Sequence, residues 1–346
     1  MLLNLARDRR VLFIGGKGGV GKTTVAAATA IGMASEGRRV LLVSTDPAHN
    51  LGHLFGRDIG PSRVRLAPNL DGVELDPEQT ARQHLDEVGT ALRRLMPAHL
   101  AGEVDKHMAL SMDTPGMHEA ALLERIAQTV EEGLQEYDLL VFDTAPSGHT
   151  ARLMALPEMM SAWVEGLMHR QERAGRFGDV LRRIGGDDGV GSRVVGNTGA
   201  TGGRGDRDGQ VRELLDRRRH RFVHLRAVLG DPAVTAFVIV LVAERLPVME
   251  TIELHAQLRR AGVTVGGLVV NKRSPEDAGE FMAARARQEQ VYLQQLVEAL
   301  PDLPIEEAGL QAAEVVGVEA LAAFAGRLRD AAGAASRDAP TTTPRA

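Results

Sequence analysis

The sequence predicts an α/β fold in which a mostly parallel central sheet is flanked by helices. Largely apolar runs, typical of strands buried on both faces of a parallel sheet, occur at residues 11–14, 40–43, 139–142, 235–242 and 263–270. Segments with helical periodicity separate most of these runs, so that strands and helices alternate along the chain. A long helical block that no strand-like run interrupts is further predicted to form an inserted all-helical subdomain beside the sheet.

A phosphate-binding loop follows the first predicted strand. Residues 16–23 match the pattern Gly-x-x-x-x-Gly-Lys-[Ser/Thr] and lie between an apolar run and an Ala-rich helical run, which is the context that this motif requires. The motif therefore predicts a P-loop NTPase. Its glycines let backbone N–H groups point at phosphate oxygens, and the following helix contributes its positive N-terminal end. The predicted nucleotide-binding residues of the loop are Gly16, Lys17, Gly18, Gly19, Val20, Gly21, Lys22, Thr23 and Thr24.

The two lysines of this loop, Lys17 and Lys22, are predicted to have different roles. Lys22 is predicted to contact the β- and γ-phosphates of ATP, and the Thr23 hydroxyl to ligate Mg²⁺. Lys17 is not needed to cradle phosphate, and a solvated loop charge is its simpler interpretation. Because Gly18 and Gly19 carry no side chains, however, Lys17 is free to lean over the nucleotide or across to a second subunit.

Further polar residues stand at the ends of later predicted strands, where open α/β sheets bind ligands. Asp46 is predicted to act in catalysis by orienting the attacking water, or to reach Mg²⁺ through a water. Asp143 is the Walker B carboxylate, which holds Mg²⁺ directly or through water. Asn271 is predicted to pair with adenine. The predicted switch residues around the two aspartates are Pro47, His49, Asn50, Asp143, Ser147, Gly148 and His149.

Composition excludes several classes of function. The 346 residues carry a net charge of −5, which indicates no general attraction to nucleic acid. The chain has no cysteine, so disulfides, thiolate zinc sites, iron–sulfur clusters and thiol nucleophiles are excluded together. Residues 1–7 are too short for a signal peptide, and no run approaches the ~18 apolar residues of a membrane span. The protein is therefore predicted to be cytoplasmic.

The predicted domain organisation is discontinuous along the chain. Residues 1–76, 137–153 and 231–334 are assigned to the ATPase domain, and residues 77–136 and 154–230 to the helical subdomain. Two polar stretches are predicted to be disordered: residues 185–209, which contain ten glycines, and the tail at residues 335–346.

The assembled motifs resemble the family of the ArsA arsenical-pump ATPase and the ATPase of guided entry of tail-anchored proteins. The resemblance rests on residues 16–23, 44–50 and 143–150 and covers the chain from about residue 9 to 330. It implies a Mg²⁺-dependent ATPase that works as a homodimer. It also implies that Lys17 crosses the dimer interface to the partner's phosphates and that Asp46 positions the hydrolytic water. Asp143 would then close a switch linked to the helical subdomain, and Asn271 would contact adenine.

Two biological roles remain open within that family. Trivalent arsenic is held by thiolates, so a cysteine-free chain is expected to build no arsenite site, and the paired cysteines of a zinc clamp are equally missing. One role is the binding or delivery of a hydrophobic membrane-protein client. The alternative is the energising ATPase subunit of an anion- or arsenical-type membrane transporter. A partition-type positioning ATPase, stimulated by DNA or lipid, is disfavoured by the acidic net charge.

The methionine distribution favours the client hypothesis. Eight of the twelve methionines fall between Met96 and Met168, inside the predicted helical blocks, and methionine suits surfaces that accept varied apolar partners. Ordinary core positions are the simpler interpretation of each one taken alone. The predicted client groove comprises Met108, Met112, Met159, Met160, Trp163, Leu167 and Met168.

Overall fold

The computed structural model describes residues 1–46, 50–95, 102, 116–144 and 204–337. The strands are β1 (Val11–Gly16), β2 (Val40–Ser44), β3 (Val64–Ala67), β4 (Leu70–Glu74), β5 (Leu139–Asp143), β6 (Thr235–Leu241), β7 (Val265–Arg273) and β8 (Ile305–Gly309). The helices are α1 (Leu2–Asp8), α2 (Lys22–Ser35), α3 (Asn50–Phe55), α4 (Pro77–Leu95), α5 (Met117–Glu136), α6 (Arg204–Gly230), α7 (Arg245–Arg260), α8 (Glu280–Ala299) and α9 (Val318–Arg337).

The eight strands form one sheet in the order β3-β4-β2-β5-β1-β6-β7-β8. All neighbouring strands are parallel except β3, which runs antiparallel to β4 at the sheet edge. The predicted α/β class with a mostly parallel sheet is therefore confirmed. Because β1 lies between β5 and β6, the loop that follows β1 is bordered by the ends of both neighbours.

An apolar core lies on each face of the sheet, since successive side chains of a strand point to opposite faces. Phe13 and Phe142 belong to one core, where their rings stack at 4.6 Å between centroids. Leu12 and Ile14 belong to the other, which is filled mainly by α2 and α9. The alanines of α2 are all buried, and their small side chains let this helix lie close to the sheet. Burial on both faces explains the continuous apolar runs in the sequence.

The described helices of the helical block are joined to the sheet through apolar side chains. Helix α5 packs on both α4 and α6. Ile126 and Val130 of α5 and Phe222 and Leu225 of α6 are buried in the same core as Phe13. The described parts of the two blocks, which are distant in sequence, therefore pack together beside the sheet. The predicted boundaries of the domains themselves stay predictions.

Two helices extend further than the sequence predicts. Helix α6 begins at Arg204, so residues 204–209, which were assigned to the glycine-rich loop, are helical. Helix α9 ends at Arg337, so residues 335–337 of the predicted disordered tail are helical as well. Once the packed part of a helix has formed, each further residue adds a hydrogen bond at little cost, so a polar flank can continue the helix. Residues 185–203 and 338–346 lie outside the described residues.

Strand β8 is missing from the sequence prediction because two of its five residues are glutamates. Glu306 is buried, and its Oε2 lies 2.6 Å from the Met1 amino group and accepts a hydrogen bond from the Leu2 N–H. This pairing with α1 lets an acidic residue occupy a core position, which an apolar pattern does not reveal. Helices α1 and α3 and strand β3 are also absent from the prediction, since each is only four to seven residues long.

Candidate active site

The phosphate loop leaves the end of β1 and enters α2 at Lys22, as the motif predicts. Two of its glycines are required by the structure. Gly16 has a φ of 144°, and a Cβ there would lie 2.1 Å from the carbonyl oxygen of Val240. Gly21 has a φ of 92°, and a Cβ there would lie 2.4 Å from Nδ2 of Asn271. Both positions combine left-handed backbone with close contact to another strand, which only glycine tolerates.

Lys22 is folded back onto its own loop. Its side chain is buried, and Nζ donates a hydrogen bond of 3.1 Å to the carbonyl oxygen of Lys17. Burial lowers the pKa of Lys22, while the nearby carboxylates of Asp143 and Asp46 act in the opposite direction. A buried ammonium group that bonds to a backbone carbonyl is well placed to form an ion pair with a phosphate oxygen.

Thr23 and Asp143 meet directly below the loop. The Thr23 hydroxyl donates a hydrogen bond of 2.7 Å to Oδ2 of Asp143, and the Ser44 hydroxyl lies 3.5 Å from the same oxygen. Asp143 is fully buried, and this burial raises its pKa to about 7 despite the hydrogen bond from Thr23.

The geometry at Asp143 fits a magnesium ion. Its second oxygen, Oδ1, is buried and has no hydrogen-bond partner among the described residues. Such an oxygen is costly to leave unpaired, and carboxylate and hydroxyl oxygens are the ligands that Mg²⁺ prefers. Thr23 and Asp143 are the predicted metal residues that the structure brings together here. Asp46 is the third predicted metal residue, and it follows β2, the strand next to β5.

Asp46 is held by its neighbours at the start of α3. Its backbone N–H lies 3.3 Å from the Ser44 hydroxyl, and Asn50 donates a hydrogen bond of 3.4 Å to its Oδ2. Asp46, a predicted catalytic residue, is thus in contact with Asn50, a predicted switch residue. Asn50 and Asp143 are the predicted switch residues that the structure describes. The remaining five lie outside the described residues: Pro47, His49, Ser147, Gly148 and His149.

Glu74 is a site residue that sequence reasoning missed. It ends β4, is buried, and accepts hydrogen bonds from the backbone N–H groups of Leu51 at 2.8 Å and Gly52 at 3.1 Å. A carboxylate at this position satisfies the free donors at the first turn of α3. Its place at the carboxyl end of a strand, as with Asp46 and Asp143, is the signal that could have identified it.

Asn271 lies against the phosphate loop. Its Nδ2 donates a hydrogen bond of 2.9 Å to the carbonyl oxygen of Val20, and its side chain is buried. The next residue, Lys272, donates a 2.8 Å hydrogen bond to the carbonyl oxygen of Gly19. The end of β7 therefore supports the loop at two carbonyl groups. The predicted contact between Asn271 and adenine stays a prediction.

Lys17 forms an ion pair within its own subunit. Its Nζ lies 2.6 Å from Oε1 of Glu250 in α7, and about two-fifths of each side chain is exposed. Gly18 and Gly19, which follow it in the loop, have open space around their α-carbons. Glu250 is not among the predicted site residues, because the two partners lie 233 positions apart in the chain.

The predicted client groove lies outside the described residues. Its seven members fall within residues 103–115 and 145–203, which the structure does not describe: Met108, Met112, Met159, Met160, Trp163, Leu167 and Met168. None of the helices in the described ranges combines the length and the apolar character that crossing a membrane requires.

Most of the chain matches one known protein family. A family model described as "Anion-transporting ATPase" matches residues 9–330. The chain belongs to the anion-transporting ATPase family. The resemblance stated from the motifs is therefore confirmed, and so is the predicted class of enzyme, an ATPase.

Some relatives of this ATPase are named as arsenical-pump ATPases and others as ASNA1 homologs. The protein named ATPase ARSA2 of Chlamydomonas reinhardtii is 34% identical over 92% of this chain and 84% of its own length. The ATPase ASNA1 homolog of Entamoeba dispar is 30% identical over 90% of this chain and 91% of its own. The Arsenical pump-driving ATPase of Acidiphilium multivorum is 32% identical over 90% of this chain and 48% of its own. This ATPase therefore spans about half the length of that pump-driving relative.

Proposed function

We propose that this protein hydrolyses ATP with Mg²⁺ as a homodimer and couples nucleotide-driven closure to the binding or delivery of a hydrophobic client. The observation that carries the proposal is the convergence of the phosphate loop, Thr23, Asp46 and Asp143 at the carboxyl ends of the central strands. These are the groups that phosphoryl transfer requires: a phosphate cradle, oxygen ligands for a metal and a carboxylate that positions water.

Binding of the nucleotide would rearrange Lys22 first. The backbone N–H groups of residues 16–21 receive the phosphates, and Lys22 exchanges the Lys17 carbonyl for a phosphate oxygen. Negative charge arriving beside a buried ammonium group favours its protonated form, which offsets the effect of burial on the pKa of Lys22.

Thr23 and Asp143 would hold the metal, and Asp46 would hold the water. Mg²⁺ bound at this site neutralises charge that develops on the phosphate oxygens. The Thr23 hydroxyl oxygen and a carboxylate oxygen of Asp143 would serve as ligands, and the Thr23 hydroxyl would keep its hydrogen for the bond to Asp143. Asp46 faces the attacking water with its carboxylate, and Asn50 fixes the orientation of that carboxylate.

A second subunit would supply Lys17. A cation that is delivered in trans to the transferring phosphoryl group lowers the barrier by roughly 4–7 kcal/mol, or about 10³- to 10⁵-fold in rate. Hydrolysis would therefore remain slow until two subunits close around their nucleotides. The glycines on the C-terminal side of Lys17 leave room for this movement.

The contacts of β4 support coupling to the helical block. Glu74 ends β4 and caps α3, which begins at Asn50 beside Asp46. Two residues later, Asp76 caps the first turn of α4 through the backbone N–H of Gln79 at 2.7 Å. A nucleotide-dependent shift at Asp46 and Asn50 would thus reach the start of α4 through residues 74–76.

The test of the dimeric mechanism is Lys17→Ala. The variant is expected to lose ATP-dependent association and most of its turnover while it still binds ATP. If turnover and association are unchanged, Lys17 does not act in trans and the dimeric mechanism is wrong.

The client role is tested by copurification. Wild-type protein is expected to coelute with a hydrophobic transmembrane peptide, and Met160→Asp combined with Leu167→Asp is expected to abolish this while ATP binding persists. Coelution that survives both substitutions would contradict the proposed groove.

The alternative function is the energising ATPase subunit of an anion- or arsenical-type membrane transporter. It is favoured by the name of the Acidiphilium relative, a pump-driving ATPase. The chain contains no cysteine, so such a role would require a metalloid site elsewhere, since trivalent arsenic is bound by thiolates. Stimulation of turnover by arsenite or by oxyanions in the presence of host membrane vesicles, without any effect of hydrophobic peptide, would favour this alternative. In either role we place the protein in the cytoplasm.

A further inference from the structure

The ion pair between Lys17 and Glu250 conflicts with the movement that the proposed function demands of Lys17. While Nζ lies 2.6 Å from Oε1 of Glu250, the lysine is held against α7 of its own subunit. It must leave this carboxylate before it can reach a nucleotide bound by another subunit.

The Glu250 carboxylate lies beside the phosphate loop, where Lys17 contacts one of its two oxygens. Glu250 lies in the second turn of α7, next to the buried Thr251, and lines a small cavity together with Gly16. Its other oxygen, Oε2, is buried and has no hydrogen-bond partner in the described part of the chain. Since Lys17 is the partner that Glu250 has in the structure, removal of the lysine would leave a partly buried carboxylate with less compensation.

The strength of the pair suits a contact that is broken and remade. Both side chains are partly exposed, so water screens their attraction, and exposed ion pairs contribute little to stability. The pair is therefore strong enough to bias Lys17 towards its own subunit and weak enough to be released when two subunits meet.

We propose that Glu250 is a positioning residue that retains Lys17 within its own subunit and so sets the protein concentration at which ATP-dependent dimers form. This inference rests on the proposed trans role of Lys17. Its consequence is that a lone subunit with ATP bound keeps its second lysine away from the phosphates, which limits hydrolysis before a partner arrives.

The expected effect follows from the strength of exposed ion pairs. Release of one such pair changes an equilibrium by roughly two- to fivefold. A symmetric dimer releases two pairs, so Glu250→Gln is expected to tighten ATP-dependent dimerisation by roughly 4- to 25-fold.

The experiment measures ATP turnover per subunit against total protein concentration, together with sedimentation in a non-hydrolysable ATP analogue. Glu250→Gln is expected to reach half-maximal turnover at a lower protein concentration while the plateau stays within about twofold of wild type. Glu253→Gln is the matched control, because Glu253 is exposed one turn further along α7 and bonds only to Gln257 among the contacts seen there. Glu250→Asp keeps the charge, so its turnover is expected to depend on protein concentration nearly as that of the wild type does.

The outcomes separate this inference from the function on which it rests. If Lys17→Ala leaves association unchanged, the trans mechanism fails and Glu250 has no lysine to retain. If Lys17→Ala disrupts association but Glu250→Gln leaves it unchanged or weakens it, the trans mechanism stands and the role of Glu250 is overturned.

Discussion

The hydroxyl of Thr23 donates a 2.7 Å hydrogen bond to the buried carboxylate of Asp143, joining the first turn of α2 to the end of β5. The two residues are 120 positions apart in the sequence, yet β5 lies directly beside β1, the strand that leads into α2. The parallel sheet therefore brings the phosphate loop and the carboxylate of Asp143 together at the carboxyl ends of neighbouring strands, without any special loop structure.

Asp143→Asn is expected to lower ATP turnover by at least about 100-fold, because a metal contributes several kcal/mol of transition-state stabilisation. Binding of ATP is expected to be affected far less, since the backbone cradle is unchanged. Steady-state kinetics and titration with a fluorescent ATP analogue measure the two effects. Asp138→Asn is the control, because Asp138 lies just before β5 and pairs with Arg39 at the surface. A turnover equal to that of the control would show that Asp143 does not serve the metal.

Glu74→Ala is expected to destabilise the protein by about 2 kcal/mol, since each buried N–H left without a partner costs about 1–3 kcal/mol. Glu74→Gln keeps one acceptor oxygen and is expected to cost less. Thermal unfolding measures the stability, and hydrogen exchange at Leu51 and Gly52 measures the local opening of α3. Faster exchange at these two amides is expected in Glu74→Ala. Unchanged exchange there would contradict the capping role of Glu74.

Asn271→Ala is expected to weaken nucleotide binding by roughly fivefold, the effect of losing a hydrogen bond worth about 1 kcal/mol from the phosphate loop. Comparing ATP with GTP separates the two roles of Asn271. An equal loss for both nucleotides would mean that Asn271 only supports the loop at Val20. A selective loss for ATP would mean that it also contacts adenine. Titrations with labelled analogues of both nucleotides supply the measurement.

His84 predicts a pH dependence of stability in the helical block. Burial lowers its pKa below the ordinary value of 6.5, opposed by Glu124, whose Oε2 lies 3.3 Å from Nδ1, and reinforced by Arg218. The unfolded chain therefore binds a proton at His84 more readily than the folded chain. The free energy of unfolding is expected to decline as the pH falls from 6.5 towards the pKa of His84 in the folded protein. Below that folded pKa, His84 is protonated in both states and causes no further decline.

The measurement for His84 is urea unfolding between pH 5 and pH 8. His84→Gln is expected to flatten the dependence in this window, whereas the exposed His220 offers a matched control as His220→Gln. If the wild type and His84→Gln have the same slope, His84 is not the group that titrates.

The parts of the site that depend on local pattern could be predicted from the sequence. The phosphate loop is a short motif in a fixed context, and Asp143 follows an apolar run of the kind that buried parallel strands require. Glu74 was missed although it ends a strand as Asp143 does, because its capping role depends on the order of the strands. Glu250 could not be predicted, because its role comes from the packing of α7 rather than from its neighbours in sequence. Strand β8 was missed for a related reason, since its buried Glu306 is stabilised by the Met1 amino group and by the Leu2 N–H, which lies 304 positions earlier.

The central position of β1 divides the protein into two sides with separate tasks. On one side, β5, β2 and β4 connect the hydrolytic groups to α3 and α4; on the other, β6 and β7 support the loop through α7 and Asn271. Under the proposed function, a substitution at an exposed position of α4 or α5 would therefore change contacts with a partner, while the groups at the carboxyl ends of β1 and β5 would stay in place.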